Sequence, residues 1–198
     1  MGKSSGGIRS NGSSSNRALE EYVSGEGMWI NSWLRNGNNF HNAADRKYLN
    51  DLDRATSKSL NEMQLFRSVD ASSIFEGIDS SGYDALQNVI AYGGTQKYYQ
   101  KIVDDILSKT KIGTIKTEKG FMSTTTSRKV AEEWGGFSGS KMPIILKINS
   151  PRGVKGADLS QHRMKQNEIL LKRNLKYKIG KIYGHNGQIY VDVNILSK

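Results

Sequence analysis

Lys119-Gly120-Phe121-Met122-Ser123-Thr124-Thr125 is the stretch on which the fold turns. A glycine, two large apolar residues and a run of hydroxyl residues with β-branched threonines suit a short pleated segment, so Gly120 to Thr125 reads as a strand. A helix follows from about Ser127 to Trp134. Upstream, Gln64 to Val69 within "MQLFRSVD" is another brief strand-like run. Downstream, Pro143 to Asn149, Glu168 to Arg173, Leu175 to Tyr183 and Gln188 to Leu196 show the same short periods. Gly184-His185-Asn186-Gly187 reads as a hairpin turn, because Asn-Gly readily takes positive φ.

The first half of the chain reads differently. Asn16 caps a predicted helix through Val23, and Met28 to Leu34 forms a second, with Gly25 and Gly27 between them. From Ala43 to about Leu60 the set Ala44, Tyr48, Leu49, Leu52 and Ala55 recurs at helical spacing. Helix is again predicted within Ser80 to Lys109, where Tyr99, Ile102, Val103, Ile106 and Leu107 make a stripe and Thr95 stands as a cap. Helices first and strands later indicate an α+β architecture, not a βαβ repeat.

At 198 residues the chain is long enough for one domain with a substantial core. Residues 1–15, rich in Gly and Ser, read as a flexible arm, and 16–198 as a single domain. Hydrophobic content of 36% and charged content of 24% fit a globular chain, and no apolar run approaches the roughly 20 residues of a membrane helix. The start has no hydrophobic segment of the secretory-signal kind. Cysteine is absent, which removes disulfides and thiol chemistry. The net charge of +10 favours anionic partners, whether nucleic acid, an acidic protein surface or a lipid headgroup.

Three side chains stand out in fixed order: Arg67 closing one predicted strand, Ser123 in a second and Glu168 opening a third. A guanidinium meets phosphate oxygens in pairs, a carboxylate stabilises a developing positive charge, and a hydroxyl can orient that carboxylate. Together they suit the cleavage of a cationic nucleotide. With the segments "YVSGEGMWINSWLRN", "MQLFRSVD", "KGFMSTTTS" and "PIILKINSPRGVKGADLS…QNEILLKRNLKYKIGKI", the chain resembles mono-ADP-ribosyltransferases of the arginine–serine–glutamate type, in the C3-like exoenzyme and clostridial binary-toxin branch. The likeness runs from roughly Tyr22 to Leu196.

That resemblance implies two packed, mainly antiparallel β-sheets forming an NAD cleft, with an N-terminal helical part beside them. It implies transfer of ADP-ribose from NAD, as co-substrate and without a metal, through an oxocarbenium-like transition state. Glu168 would face the ribosyl cation, Ser123 would hold Glu168, and Arg67 with Ser68 would contact the NAD diphosphate or the nicotinamide ribose. Phe121, Thr124, Asn31 and Arg35 match further NAD-side positions, and Thr125 stands where the family usually has serine. Trp134, with Phe137 as its rival, matches the aromatic of the following loop, and Lys141 stands where an arginine is usual.

Gln166 bears on the acceptor. Arginine-modifying relatives carry a glutamate two residues before the catalytic one, whereas a neutral amide offers one donor set and one acceptor and does not attract a guanidinium. The Gln-x-Glu pattern resembles C3-like enzymes, which modify asparagine on small Rho GTPases, and also guanine-modifying relatives. His162, Arg163 and Lys165 give a basic recognition loop lacking the C3 aromatic, suited to an acidic surface or a nucleic-acid backbone. The expected protein is a monomeric toxin or effector that is secreted or injected into a host cell, acts in its cytoplasm and has no membrane partner. A nucleobase acceptor, water as acceptor (NAD glycohydrolysis) and a catalytically inert binding module are the other readings. The histidines His41, His162 and His185 are scattered and support no metal site.

Overall fold

A computed structural model describes residues 14–37, 40, 42–75, 96–137, 143–160, 167–185 and 188–196, without the side chains of 96–99, 101–102 and 135–137. The helical part comprises α1 (Ser14–Glu21), α2 (Gly27–Arg35) and α3 (Ala43–Ala55). Helix α1 begins ahead of Asn16, inside the stretch read as an arm. Between α1 and α2 lies a π turn, Tyr22–Glu26, in which Gly25 takes φ 136, a conformation open to glycine but costly for other residues. Asn42 caps α3 by accepting from the Asp45 N–H at 2.7 Å. The helix ends earlier than its periodicity predicts, at Thr56, whose hydroxyl donates back to the Leu52 carbonyl at 2.8 Å.

The strands are β1 (Lys58–Ser59), β2 (Met63–Asp70), β3 (Ile115–Glu118), β4 (Met122–Thr125), β5 (Pro143–Ser150), β6 (Lys155–Asp158), β7 (Glu168–Leu171), β8 (Leu175–His185) and β9 (Gln188–Ile195). Two further helices, α4 (Gln96–Lys109) and α5 (Arg128–Phe137), flank β3 and β4 in sequence. The ladder order is β1-β6-β7-β4-β2-β5-β9-β8-β3. All pairings are antiparallel except β5 with β9. The order contains two halves, β1-β6-β7-β4 and β2-β5-β9-β8-β3. They meet through one register pair, Phe66↔Thr125, whereas β2 and β5 align along their whole length. The joint therefore falls beside Arg67 and two residues from Ser123. Arg67 lies inside β2, not at its end, because the strand runs on to Asp70.

Alternation explains why the apolar runs are continuous. In β7, Ile169 and Leu171 join the main cluster with Leu65, Leu146 and Val191, while Leu170 turns to the helical side and packs with Leu19, Tyr22, Ile30 and Leu52. Helix α4 covers the main cluster with Val103 and Ile106. Helix α5 places Ala131 against Ile145 and Tyr190 on the opposite face. Arg173 ties the first half to α3 through a bidentate pair with Asp53 at 2.8–3.1 Å. Among the described residues, no helix is long and apolar enough to cross a membrane. Thr95 and residues 80–95 of the predicted helical region lie outside the described residues, as do Asn186 and Gly187 of the hairpin turn.

Candidate active site

The centre is built by strand register. Thr125 stands opposite Glu168, so Ser123, two residues along, shares its face of the β4–β7 pair. The Ser123 hydroxyl donates to Glu168 Oε1 at 2.5 Å, a short charge-assisted contact that directs the carboxylate. Glu168 is half-buried and is reached through Asn167, which takes φ 47. The backbone on either side is pinned: Thr126 N–H bonds Asn167 O at 3.2 Å, and Leu159 N–H bonds Glu168 O at 2.8 Å. Thr124 donates to the Ile169 carbonyl at 2.7 Å, so its hydroxyl ties the strands together. Thr125 Oγ1 accepts from the Ser127 N–H at 3.1 Å, a contact that threonine makes as well as serine would.

Arg67 is the second anchor. Burial lowers its pKa, and the nearby Glu118 carboxylate opposes that shift. Its Nη1 and the neighbouring Ser68 Oγ are both buried and find no hydrogen-bond partner among the described residues. Leaving such donors unpaired costs free energy, so their arrangement fits an anionic ligand that would satisfy them. Arg67 and Ser68 border two cavities at once.

The smaller cavity, about 240 Å³, is walled by Phe66, Val130, Ala131 and Trp134 and by the Ser123–Glu168 pair with Thr124 and Thr125. Trp134 is 53% exposed, so it forms a rim and not a core contact. The larger, about 830 Å³, is bordered by Arg35, Lys116, Lys119, Glu118, Asp70 and Tyr177. The Tyr177 hydroxyl has its pKa pushed up to about 12 by burial, with Glu118 adding to the shift. Arg35 stands at this mouth, paired with Glu118 at 2.9 and 3.1 Å. The apolar, carboxylate-bearing cavity suits a sugar and a departing ring, and the cationic one suits phosphate.

Two expected ligand contacts lie elsewhere. Asn31 and Phe121 line neither cavity, because both are buried where the helices meet β4. Asn31 Oδ1 accepts from the Phe121 N–H at 2.8 Å, and its Nδ2 donates to the Tyr22 hydroxyl at 2.8 Å. The structure thus gives this pair a part in supporting the cleft from behind. Tyr22 was not singled out by the sequence: its phenol pKa is raised by burial, and the charges of Arg67 and Glu168 both act on it. Its only advance signal was a position at the end of a helix followed by two glycines. Gln166, His162, Arg163, Lys165 and Lys141 lie outside the described residues, as does the side chain of Phe137. Among the described residues, no group of His, Asp and Glu could hold a metal ion.

Known proteins resemble this chain in sequence and in fold. The model of the ADP-ribosyltransferase exoenzyme family matches residues 6–197. The NAD(+)–arginine ADP-ribosyltransferase EFV of Enterococcus faecalis is 25% identical over 165 residues, 82% of this chain but 28% of that protein. This chain therefore spans little more than a quarter of that relative. The structure of C3stau2 from S. aureus with NAD superposes with a TM-score of 0.72 at 22% identity, covering 94% of this chain and 88% of that one. C3larvin toxin from Paenibacillus larvae gives 0.59 at 25% identity, covering 96% and 97%.

Proposed function

This chain belongs to the ADP-ribosyltransferase exoenzyme family, and from that premise we propose that it transfers ADP-ribose from NAD to a non-arginine acceptor, a protein amide such as asparagine. The observation that carries the reading is the Ser123–Glu168 contact at 2.5 Å on the wall it shares with Arg67, whose buried Nη1 has no hydrogen-bond partner among the described residues. As the C–N bond to nicotinamide breaks, the ribose becomes cationic, and a carboxylate already oriented by Ser123 stabilises it without reorganising. Arg67 and Ser68 hold the diphosphate, Trp134 and Phe66 shield the departing ring, and Arg35 closes the far end. Asn31 and Phe121 position β4, and hence Ser123. By their match to the family pattern, Gln166 selects the acceptor, His162, Arg163 and Lys165 engage its surface, and Phe137 and Lys141 serve the nucleotide.

Arginine is the competing acceptor, since the enterococcal relative is by its name an arginine-modifying enzyme. Gln166 argues against it, because an amide lacks the charge that draws a guanidinium in. A guanine base is the other alternative, compatible with the same amide and with the charge of +10.

The test is labelled NAD with host-cell lysate, divided between protease and nuclease, with Glu168→Gln as the inactive control. Label released by protease alone supports a protein acceptor, and label released by nuclease alone overturns it in favour of nucleic acid. Free agmatine as an efficient acceptor would establish the arginine reading instead. Gln166→Glu should suppress transfer to the natural acceptor while NAD hydrolysis survives. Equal loss of both activities would remove Gln166 from acceptor choice.

A further inference from the structure

Strand register sets Glu168 in one row with side chains well outside the cavity. Glu168 stands opposite Thr125, Thr125 opposite Phe66, Phe66 opposite Lys147 and Lys147 opposite Asp192, across β7, β4, β2, β5 and β9. The first three line the smaller cavity, and Lys147 follows three strand spacings from Glu168, on the order of 15 Å. A second row runs beside it through Gln64, Asn149, Asn194, Lys178 and Ile115, on β2, β5, β9, β8 and β3. These side chains turn away from the main core, because their chain neighbours Leu65, Ile148, Val193 and Tyr177 belong to it. Lys176 shares this outer face by the same alternation, and Lys181 lies there with its Nζ 5.3 Å over the Tyr183 ring. Helix α5 meets the face at one end, where Ala131 packs on Ile145 and Tyr190. Asn149, Asn194, Lys176, Lys178 and Lys181 are exposed.

The charged side chains that β5, β8 and β9 turn to this face are Lys147, Lys176, Lys178 and Lys181 against Asp192 alone. We propose that the face docks the acceptor, an acidic protein surface, and leads its reacting side chain into the smaller cavity. The inference rests on the proposed transfer to a protein. Charge complementarity selects the partner, and the shared row gives the path from docking face to Glu168. The aromatic content favours protein over nucleic acid. Base stacking needs open rings, whereas Tyr190 is 3% exposed and Tyr183 is stacked on it at 5.5 Å, with Lys181 over its ring. Asp192, half-buried among the lysines, opposes a continuous run of phosphates but suits a protein surface of mixed charge. A lipid surface would call for apolar side chains beside the lysines, and in these two rows Ile115 at the sheet edge is the one large apolar residue that is exposed.

The experiment follows labelled NAD in host-cell lysate with the charge-reversed pair Lys176→Glu/Lys178→Glu. Its control, Lys58→Glu/Lys155→Glu, makes the same change of charge at the opposite end of the sheet order, on β1 and β6. Thermal melting confirms folding, and Lys176→Arg/Lys178→Arg keeps the charge while changing the side chain. The outer-face reversal should slow protein labelling about tenfold with NAD hydrolysis unchanged, and the gap should narrow between about 50 and 300 mM salt. The control and the arginine pair should label as wild type does. Poly-L-glutamate should inhibit labelling by wild type more than by the outer-face variant and leave hydrolysis alone. Equal loss in the outer-face and control variants, or loss in neither, overturns the proposal, as does label released by nuclease alone. If wild type hydrolyses NAD yet labels nothing in the lysate, the proposed transfer has failed, and that result is distinct from failure of the docking face.

Discussion

The smaller cavity holds one carboxylate, one orienting hydroxyl and apolar walls, whereas the larger is bordered by four cations, Arg35, Arg67, Lys116 and Lys119, with the carboxylates of Glu118 and Asp70 among them. They share Arg67 and Ser68 on β2, the strand that joins the two halves of the sheet through Phe66↔Thr125. The contrast teaches a division of labour. Charge that develops during reaction needs a preorganised partner in a poorly hydrated place, while charge already present on a ligand needs donors that can adapt. Accordingly the Ser123–Glu168 contact is short and pinned by ladder bonds, while Arg35 is 40% exposed and paired with Glu118.

Perturbing the two ends should therefore separate rate from affinity. The largest effect belongs to Glu168→Gln, which should lower kcat for both transfer and NAD hydrolysis by about 10²–10³-fold and leave the Kd for NAD nearly unchanged. Loss of NAD binding in place of turnover would end the division. Next is Arg67→Met, expected to weaken NAD binding by about tenfold to a hundredfold, the value of a charge-assisted hydrogen bond or two. Because Arg67 Nη1 is buried without a hydrogen-bond partner among the described residues, the same variant should melt no lower than wild type. A clear drop in Tm would show that its charge is structural.

Ser123→Ala should act on kcat again, by about tenfold, since it removes one hydrogen bond to a charged group and leaves the carboxylate in place. An effect on KM alone would move Ser123 to the binding end.

The smallest predicted effect lies outside both cavities and calibrates them. Asp51 accepts from Lys47 at 2.8 Å, a bond that holds its carboxyl below the ordinary range in the folded chain. A depressed folded pKa gives stability that is present above the unfolded value of about 4 and lost as pH falls through the folded one. Urea midpoints of Asp51→Asn should therefore decline less than those of wild type below about pH 4, with NAD turnover at neutral pH unaltered.

Much of this molecule was legible from local pattern. Strands β2, β4, β5, β7, β8 and β9 and helices α2, α3 and α5 occur close to where periodicity and turn chemistry put them, because each carries its own apolar alternation. Arg67, Ser123 and Glu168 were found by residue type and order, and the fold brings all three to the wall of one cavity. The short strands β1, β3 and β6 escaped notice. They hold few apolar residues to mark a strand (KS, IKTE and KGAD), and they exist because a neighbour offers unpaired backbone groups.

The residues alone determined the chemistry available: which side chains can hold phosphate, face a cation or refuse a guanidinium. Only tertiary structure decided which of them reach the cleft. Asn31 turns inward to the backbone of Phe121, Tyr22 comes under the charges of Arg67 and Glu168, and Arg35 is taken up by Glu118 across 83 positions of sequence. Such pairings are set by how helices lie on a sheet, and the energy that selects them is distributed over the whole packed interface, so no local stretch of sequence carries it.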